Sequence, residues 1–128
     1  MRLEELEVYQ LTMKLGEHIW KVVAKWNYFA KDIPINIGSK QLVRSADSIS
    51  ANLGEGYGKF FYKENRQFCY YSRGSLYETK TRLTKSHNRG LLSDADFQAL
   101  QEDIEKIALK LNNYINSTGK RKNDINTQ

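Results

Sequence analysis

A segment in the middle of the chain combines positive charge with aromatic rings at regular intervals. Positions 59–89 hold eight basic residues and two acidic ones, whereas the net charge of the whole chain is only +5. From position 63 onward, four of the basic residues and two tyrosines follow one another at intervals of 3, 4, 3, 4 and 3, which keeps them on one side of a helix. Basic groups at this spacing bind phosphates, and the tyrosines among them can stack on bases or pack along sugars. The candidate nucleic-acid-binding residues are Lys59, Lys63, Arg66, Tyr70, Arg73, Tyr77 and Lys80.

These seven residues, here called the basic stripe, have two further interpretations. Tyrosine and arginine are also enriched where subunits meet, so the stripe could be a contact between copies of the chain. It could equally be a solvated face that is balanced by acidic residues elsewhere in the fold. The residues alone leave all three interpretations open.

Residues that could support catalysis or bind a metal ion are not grouped in the sequence. His18 and His87 fall in different segments, and neither has a metal-ligating residue three or four positions further on. Cys69 is the only cysteine and is interpreted as a buried packing residue. The glycine-rich run 54–58 follows a predicted helix, whereas a phosphate-binding loop follows a strand. We therefore predict no catalytic residue, no metal site and no cofactor.

A second polar set lies beside the apolar positions of two neighbouring segments. If the chain folds back at about 58–61, Ser45 comes opposite Ser75, and Arg44 comes within reach of Glu78. We interpret the set as a buried structural network that fixes the register of two helices, because buried polar groups need hydrogen-bond partners. The network residues are Arg44, Ser45, Asn52, Glu55, Ser75 and Glu78.

Apolar periodicity predicts four helices that would position both sets, at about 4–29, 38–57, 62–89 and 93–117. Pro34 marks the break after the first helix, since the residue before a proline is pushed out of the helical region. Gly90 is suited to end the third helix, and Ser93 with Asp96 resembles a capping box that opens the fourth. Four amphipathic helices with short links and no period-2 run indicate an all-α, antiparallel, up-down-up-down four-helix bundle.

Length and composition place this bundle in a single domain, residues 1–117. Residues 118–128 lack periodicity and are predicted to form a disordered basic tail. A single cysteine excludes an internal disulfide and favours a reducing compartment. No run approaches the roughly 20 apolar residues of a membrane span. We therefore expect a cytoplasmic protein without a membrane partner.

The second helix carries a motif that resembles a known bacterial family. The matching positions are Gln41, Arg44, Ala46, Ser48, Ile49, Asn52, Leu53, Glu55 and Gly56, followed by Phe68, Gly74–Leu76, Glu78, Thr81 and Gly90–Leu92, with Leu6–Gln10 at the N-terminus. The pattern is similar to that of the four-helix-bundle proteins encoded in intervening sequences of 23S ribosomal RNA genes. The accessory variability determinants of diversity-generating retroelements share it. The resemblance covers about residues 3–114.

This resemblance implies a homo-oligomeric ring, most often a pentamer, with a basic surface. For the retroelement members, the resemblance implies that such a ring acts as an adaptor, which binds a reverse transcriptase together with RNA or single-stranded DNA. The family offers no catalytic residue to carry over. We therefore expect a non-catalytic, homo-oligomeric, nucleic-acid-binding bundle. The alternative is an assembly protein in which the basic stripe packs against an acidic face such as that of Glu102, Asp103 and Glu105.

Overall fold

The computed structural model describes the backbone of residues 1–26 and 33–126, and the side chains of residues 1–26 and 35–118. A short 3-10 helix, Leu3–Glu5, precedes four α-helices. These are α1 (Glu7–Trp26), α2 (Ile33–Tyr57), α3 (Tyr62–Asn88) and α4 (Asp94–Asn126). No strand occurs within the described ranges. The predicted all-α four-helix bundle is confirmed.

Neighbouring helices run antiparallel, as the contacts between α2 and α3 illustrate. Ser72 near the middle of α3 donates a hydrogen bond to the carbonyl oxygen of Ile49, at 2.7 Å. Further along α3, the Thr79 hydroxyl lies 3.0 Å from that of Ser45, which comes earlier in α2. Each helix packs against the one before it, and α4 returns to pack against α1. The helices α1 and α3 therefore occupy diagonal positions in the bundle.

The apolar faces of the four helices meet in one core. Their spacing of three and four residues brings each face inward, and burial of such side chains is the main favourable contribution to folding. The fully buried large hydrophobic residues are Leu15 and Ile19 in α1, Leu42, Ile49 and Leu53 in α2, Leu76 and Leu83 in α3, and Leu100, Ile107 and Leu111 in α4.

The link between α3 and α4 has the capping contacts that the sequence indicates. Gly90 adopts a φ of +77°, the left-handed conformation that glycine accepts without steric cost. The following amide, of Leu91, donates to the Ser86 carbonyl oxygen at 2.9 Å, which closes the end of α3. The Ser93 hydroxyl then accepts a hydrogen bond from the amide of Asp96 and so caps α4.

The predicted helix starts near the N-terminus and near Pro34 need correction. The α1 helix begins at Glu7 rather than at about Glu4, because a 3-10 turn occupies Leu3–Glu5. Its predicted end, 27–29, lies outside the described residues. The α2 helix begins at Ile33 rather than at about Gly38. Proline is accepted in the first turn of a helix, where the missing amide hydrogen has no partner to lose.

The fourth helix is longer than predicted. It continues to Asn126, so residues 118–126, predicted as a disordered tail, extend the helix instead. Thr118 is buried, so this turn packs against the bundle, and its hydroxyl donates a hydrogen bond to the Ile115 carbonyl oxygen of the same helix. One glycine, Gly119, weakens a helix by only about 1 kcal/mol and does not end it.

Candidate nucleic-acid interface

The inward face of α3 determines where the basic stripe points. Asn65, Cys69, Ser72, Leu76, Thr79, Leu83 and Ser86 are buried, at alternating intervals of four and three residues. Tyr70 and Tyr77 lie on the opposite side and are 37% and 51% exposed. Lys63 is exposed in the first turn, whereas Arg66, Arg73 and Lys80 are half-buried along the flank that faces α4. Six of the seven predicted residues therefore share one side of α3, partly outward and partly beside α4.

At the centre of the stripe, two guanidinium groups lie near one aromatic ring. Cζ of Arg73 lies 4.8 Å from the centroid of the Tyr70 ring, and Cζ of Arg66 lies 5.8 Å from it. Positions three and four residues apart on a helix are neighbours, so the intervals in the sequence produce this contact directly. Both distances are within the reach of a cation–π interaction.

A residue of α4 completes the cluster. Asn112 accepts, through Oδ1, a hydrogen bond from Nη1 of Arg73 at 3.1 Å. Nε of Arg66 is buried and has no hydrogen-bond partner within the part of the chain whose side chains are described. Arg73 is thereby fixed in direction, whereas the buried Nε of Arg66 is closed to a ligand. Guanidinium groups beside an exposed aromatic ring can bind a phosphate and stack a base at adjacent points.

Lys59 does not extend the stripe in the way that the sequence suggests. Its ammonium group lies 5.2 Å from the centroid of the Phe68 ring. Phe68 belongs to the other flank of α3, the one beside α2, where it also makes an edge-to-face contact with Tyr71 at 5.4 Å. Attraction between the cation and the ring accounts for this placement. The side chain remains exposed, but on the opposite flank from Arg66 and Arg73.

The predicted structural polar network is only partly present, and the prediction that Arg44 pairs with Glu78 is wrong. Glu78 binds Arg82, at 2.9 Å, one turn further along its own helix, and not Arg44. A Glu–Arg pair four residues apart forms without bringing two helices into register, so the local partner is favoured. Arg44 and Glu55 are both exposed.

The remaining network residues bond within or between α2 and α3 at shifted positions. Asn52 is half-buried and donates to the Ser48 carbonyl oxygen of its own helix at 2.9 Å. Thr79 is buried, and its hydroxyl reaches both Ser45 Oγ at 3.0 Å and the Ser75 carbonyl oxygen at 2.8 Å. The cross-helix polar contact is therefore made by Thr79 with Ser45, about one turn from the predicted Ser45–Ser75 pair.

Sequence reasoning missed three polar residues that support the site. Asn112 orients Arg73, and Ser72 and Thr79 join α3 to α2. The apolar periodicity of α3 does indicate Ser72 and Thr79, since both occupy inward positions. Nothing in the sequence indicates Asn112, because its partner lies 39 positions away in the chain.

The other titratable groups do not form a reactive centre. Burial raises the pKa of the Cys69 thiol to about 11, which keeps it protonated, and its Sγ lies 3.6 Å from Oδ1 of Asn65. Burial, and secondarily the charge of Glu17, raises the pKa of Asp47. No group of three or more potential ligands in the described ranges is placed to hold a metal ion.

Two contacts between a histidine and a carboxylate link the helices. His87 lies 2.7 Å from Asp94 across the α3–α4 link, and His18 lies 3.7 Å from Asp103 between α1 and α4.

None of the described helices has the length and hydropathy needed to cross a membrane.

The fold and this surface define a class of protein, a four-helix bundle with a basic, aromatic face on its third helix. The chain belongs to the family of 23S rRNA-intervening sequence proteins, whose sequence model matches residues 4–113. The resemblance found in the second helix is thereby confirmed.

A solved structure has a similar fold. It is the crystal structure, at 1.70 Å resolution, of a protein of unknown function from the S23 ribosomal protein family of Bacteroides thetaiotaomicron. The two chains are 18% identical, with a TM-score of 0.77 over 84% of this chain and 97% of the other. At that identity, the likeness extends to the fold alone. No curated protein matches this chain.

Proposed function

We propose that this protein is a non-catalytic, homo-oligomeric bundle that binds RNA or single-stranded DNA through the basic stripe of α3. The observation that carries the proposal is the placement of Tyr70 between Arg66 and Arg73, with one of these arginines oriented by Asn112. A face that serves only to keep the protein in solution needs no aromatic ring among its charges. Cations with exposed rings fit a strand that offers phosphates and unpaired bases together.

The charge distribution supports the same partner. The segment 59–89 has eight basic residues against two acidic ones, a net charge of +6, so the excess positive charge of the chain, +5 in all, is concentrated there. Such a concentration raises the local density of an anionic partner and speeds its association. Phosphate contacts carry no sequence information, so binding through this surface is independent of sequence.

Self-association belongs to the same proposal and rests mainly on the resemblance to ring-forming members of the family. A ring repeats the stripe in every subunit and so converts weak contacts into tight binding through effective concentration. A reverse transcriptase is the protein partner that the retroelement resemblance suggests, and the cytoplasm is the compartment that we propose. A reverse-transcriptase gene adjacent to this one is the observation that would support that partner.

The second candidate is an assembly protein in which the basic stripe contacts a neighbouring subunit. Glu102, Asp103 and Glu105 are exposed on α4 and offer a complementary acidic face. A contact between two different surfaces of the same chain closes a ring when the rotation permits. In that case, the stripe would be covered in the oligomer and closed to phosphates.

Salt dependence separates the two candidates. The Lys63→Gln/Lys80→Gln variant removes one charge from each end of the stripe. The Lys14→Gln/Lys21→Gln variant removes two exposed charges from α1, diagonally across the bundle. Binding of a labelled single strand is measured across salt concentrations by fluorescence anisotropy. Each phosphate contact contributes about 0.7 to the slope of log affinity against log salt, so the stripe variant should lower the slope by about 1.4.

The α1 variant should keep the wild-type affinity and slope. If both variants bind as the wild type does, the stripe is not the binding surface. If only the stripe variant changes the oligomeric mass, the assembly candidate replaces this proposal.

A further inference from the structure

The turn between α2 and α3 presents two phenylalanine rings to solvent. Phe60 is 90% exposed, more than any other large hydrophobic residue in the described ranges, and Phe61 is 61% exposed. The two rings meet edge to face, with their centroids 5.0 Å apart. Backbone hydrogen bonds from Gly58 to Gly54 and from Lys59 to Gly56 fix the turn that precedes them. The rings are therefore displayed from an ordered position.

The stability of the fold does not explain these rings. Phe61 is the N-cap residue of α3, and no side chain caps this helix. Serine, threonine, aspartate or asparagine at an N-cap bonds a free amide, and phenylalanine cannot. Phenylalanine at this position weakens the start of the helix and exposes an apolar ring. Such a residue indicates that the ring has a binding role.

We propose that Phe60 and Phe61 form the end of the strand path, where they stack on unpaired bases of the single strand held by α3. This inference rests on the proposed function and extends it to a second element. Along the helix axis, Phe61 lies about 14 Å from Tyr70, and Tyr70 about 10 Å from Tyr77, at 1.5 Å per residue. Nine residues make about two and a half turns, so the strand would pass around the N-terminal end of α3 between Phe61 and Tyr70. Aromatic side chains thus recur along one helix, with basic groups between them.

Charge complementarity favours a nucleic-acid strand as the occupant of this turn. Lys59 and Lys63, both exposed, stand on either side of the two phenylalanines in the chain. A phosphate beside a stacked base would meet the exposed ammonium group of Lys63, whereas that of Lys59 lies over the Phe68 ring. Base stacking on aromatic rings accepts any base, which agrees with sequence-independent binding.

Two other occupants fit less well. Two phenylalanines bury about 150–250 Å² each, well short of the about 800 Å² per partner of a stable protein interface, so a second copy would need further contacts. A membrane surface would touch only this turn and would leave Tyr70 and Tyr77 without a role. Both alternatives are outcomes of the test below.

The test uses Phe60→Ser/Phe61→Ser, because serine at position 61 supplies the missing N-cap. The variant should unfold at the same temperature as the wild type or a higher one, so a loss of binding cannot be attributed to misfolding. The matched control is Trp20→Ser, which removes a ring that is 59% exposed on α1. The probes are an oligothymidylate of about 15 nucleotides, within the range of single-strand site sizes, and a duplex of the same length.

Affinity for oligothymidylate should fall by about 5- to 150-fold for each stacked base that is lost. The salt slope should not change, since no charge is removed, and duplex affinity should stay as it is because paired bases offer no free face. Trp20→Ser should bind as the wild type does. Unchanged oligothymidylate affinity in the phenylalanine variant would overturn the inference, and so would an equal loss in Trp20→Ser.

The remaining outcomes separate this inference from the proposed function. If Lys63→Gln/Lys80→Gln weakens binding while the phenylalanine variant does not, the proposed function stands and the stacking role is wrong. If the phenylalanine variant loses only its binding to vesicles of phosphatidylserine and phosphatidylcholine, the turn contacts lipid. If it loses only oligomeric mass, the turn contacts a second copy. Either result overturns the stacking role. If the wild type binds no oligothymidylate, both proposals fail.

Discussion

At the residue scale, the arrangement around Tyr70 combines three weak interactions into an ordered surface. A cation–π contact at an exposed site contributes about 0.5–1 kcal/mol, and Tyr70 has one with Arg66 and another with Arg73. Asn112 adds a hydrogen bond to Arg73. Arginine side chains held in this way lose less conformational freedom when a phosphate binds. In the proposed complex, the ring therefore has two roles, to stack on a base and to position its basic neighbours.

The two substitutions Tyr70→Phe and Tyr70→Ala separate the ring from its hydroxyl. Phenylalanine keeps the ring, so single-strand affinity should stay within about twofold of the wild type. Alanine removes the stacking surface and releases both arginines, so affinity should fall by about 5- to 150-fold. Fluorescence anisotropy with a single strand measures both variants.

Equal affinities for the phenylalanine and alanine variants would contradict this role of the ring. The control is Tyr71, which is 50% exposed but points to the α2 flank of α3 beside Phe68. Tyr71→Ala should leave single-strand affinity close to that of the wild type.

The sequence predicted which residues share a side of α3 but not their partners. Intervals of three and four residues were enough to place Arg66, Tyr70 and Arg73 together, since helix geometry alone decides this. The partner of Glu78 was predicted to be Arg44, and the structure gives Arg82. Pairs within one helix can be derived from spacing. Pairs between helices depend on how far one helix is shifted along its neighbour, and a shift of one turn changes every partner.

At the element scale, the contact between α2 and α3 depends on small residues. Gly56 at the end of α2 faces α3 so closely that an added Cβ would lie 2.8 Å from Cβ of Phe68 and 2.8 Å from Oδ1 of Asn65. Ser72 and Thr79 in α3 likewise take little space at inward positions. Close approach of the two helices allows Ser72 to bond directly to the backbone of α2.

Two glycine-to-alanine substitutions test this close approach. Gly74 lies on the exposed side of α3 with nothing within 4 Å of an added Cβ, so Gly74→Ala should stabilise the protein by about 1 kcal/mol through helix propensity. Gly56→Ala gains the same propensity but forces α2 and α3 apart, and should destabilise by about 1–3 kcal/mol. Urea unfolding at one protein concentration measures both. If both variants gain stability equally, the two helices are not in tight contact at Gly56.

Helix positions were easier to predict than helix ends. The end of α2 at Tyr57 and the start of α3 at Tyr62 follow the prediction, because Gly54 and Gly56 crowd the end of α2 and Gly58 follows it. Two ends were wrong, one because Pro34 was given too much weight and the other because the loss of apolar periodicity after Ser117 was interpreted as the end of α4. Pro34 lies in the first turn of α2, where it is accepted, and the single Gly119 is accommodated within α4. The low helix propensity of a single residue is outweighed by its position in the helix and by packing.

At the scale of the whole molecule, apolar side chains outside the core favour self-association. Leu109 on α4 is 62% exposed and Ile37 on α2 is 55% exposed, and neither helix carries the basic stripe. Exposed apolar residues away from a binding site are typical of subunit contacts. With the ring-forming resemblance, this predicts an oligomer, most simply a pentamer.

Light scattering on a sizing column measures the mass of the assembly. We expect about five times the chain mass of 14.9 kDa at micromolar concentration, and we expect it to persist in high salt. Apolar contacts are not screened by salt, whereas contacts between charged surfaces are. A mass of one chain at every concentration would contradict the oligomer and remove the effective-concentration argument for tight binding.

The most direct test of the central claim asks which surface of the molecule touches the nucleic acid. Tyr77 on the stripe and Trp20 on α1 are similarly exposed, at 51% and 59%, and lie on diagonal helices. Each is replaced in turn by the photocrosslinking residue p-benzoylphenylalanine, and the protein is irradiated with a labelled single strand. We expect a crosslinked band from position 77, which disappears at high salt, and none from position 20. Equal crosslinking at both positions, or crosslinking at position 20 alone, would contradict the assignment of the α3 stripe as the nucleic-acid-binding surface.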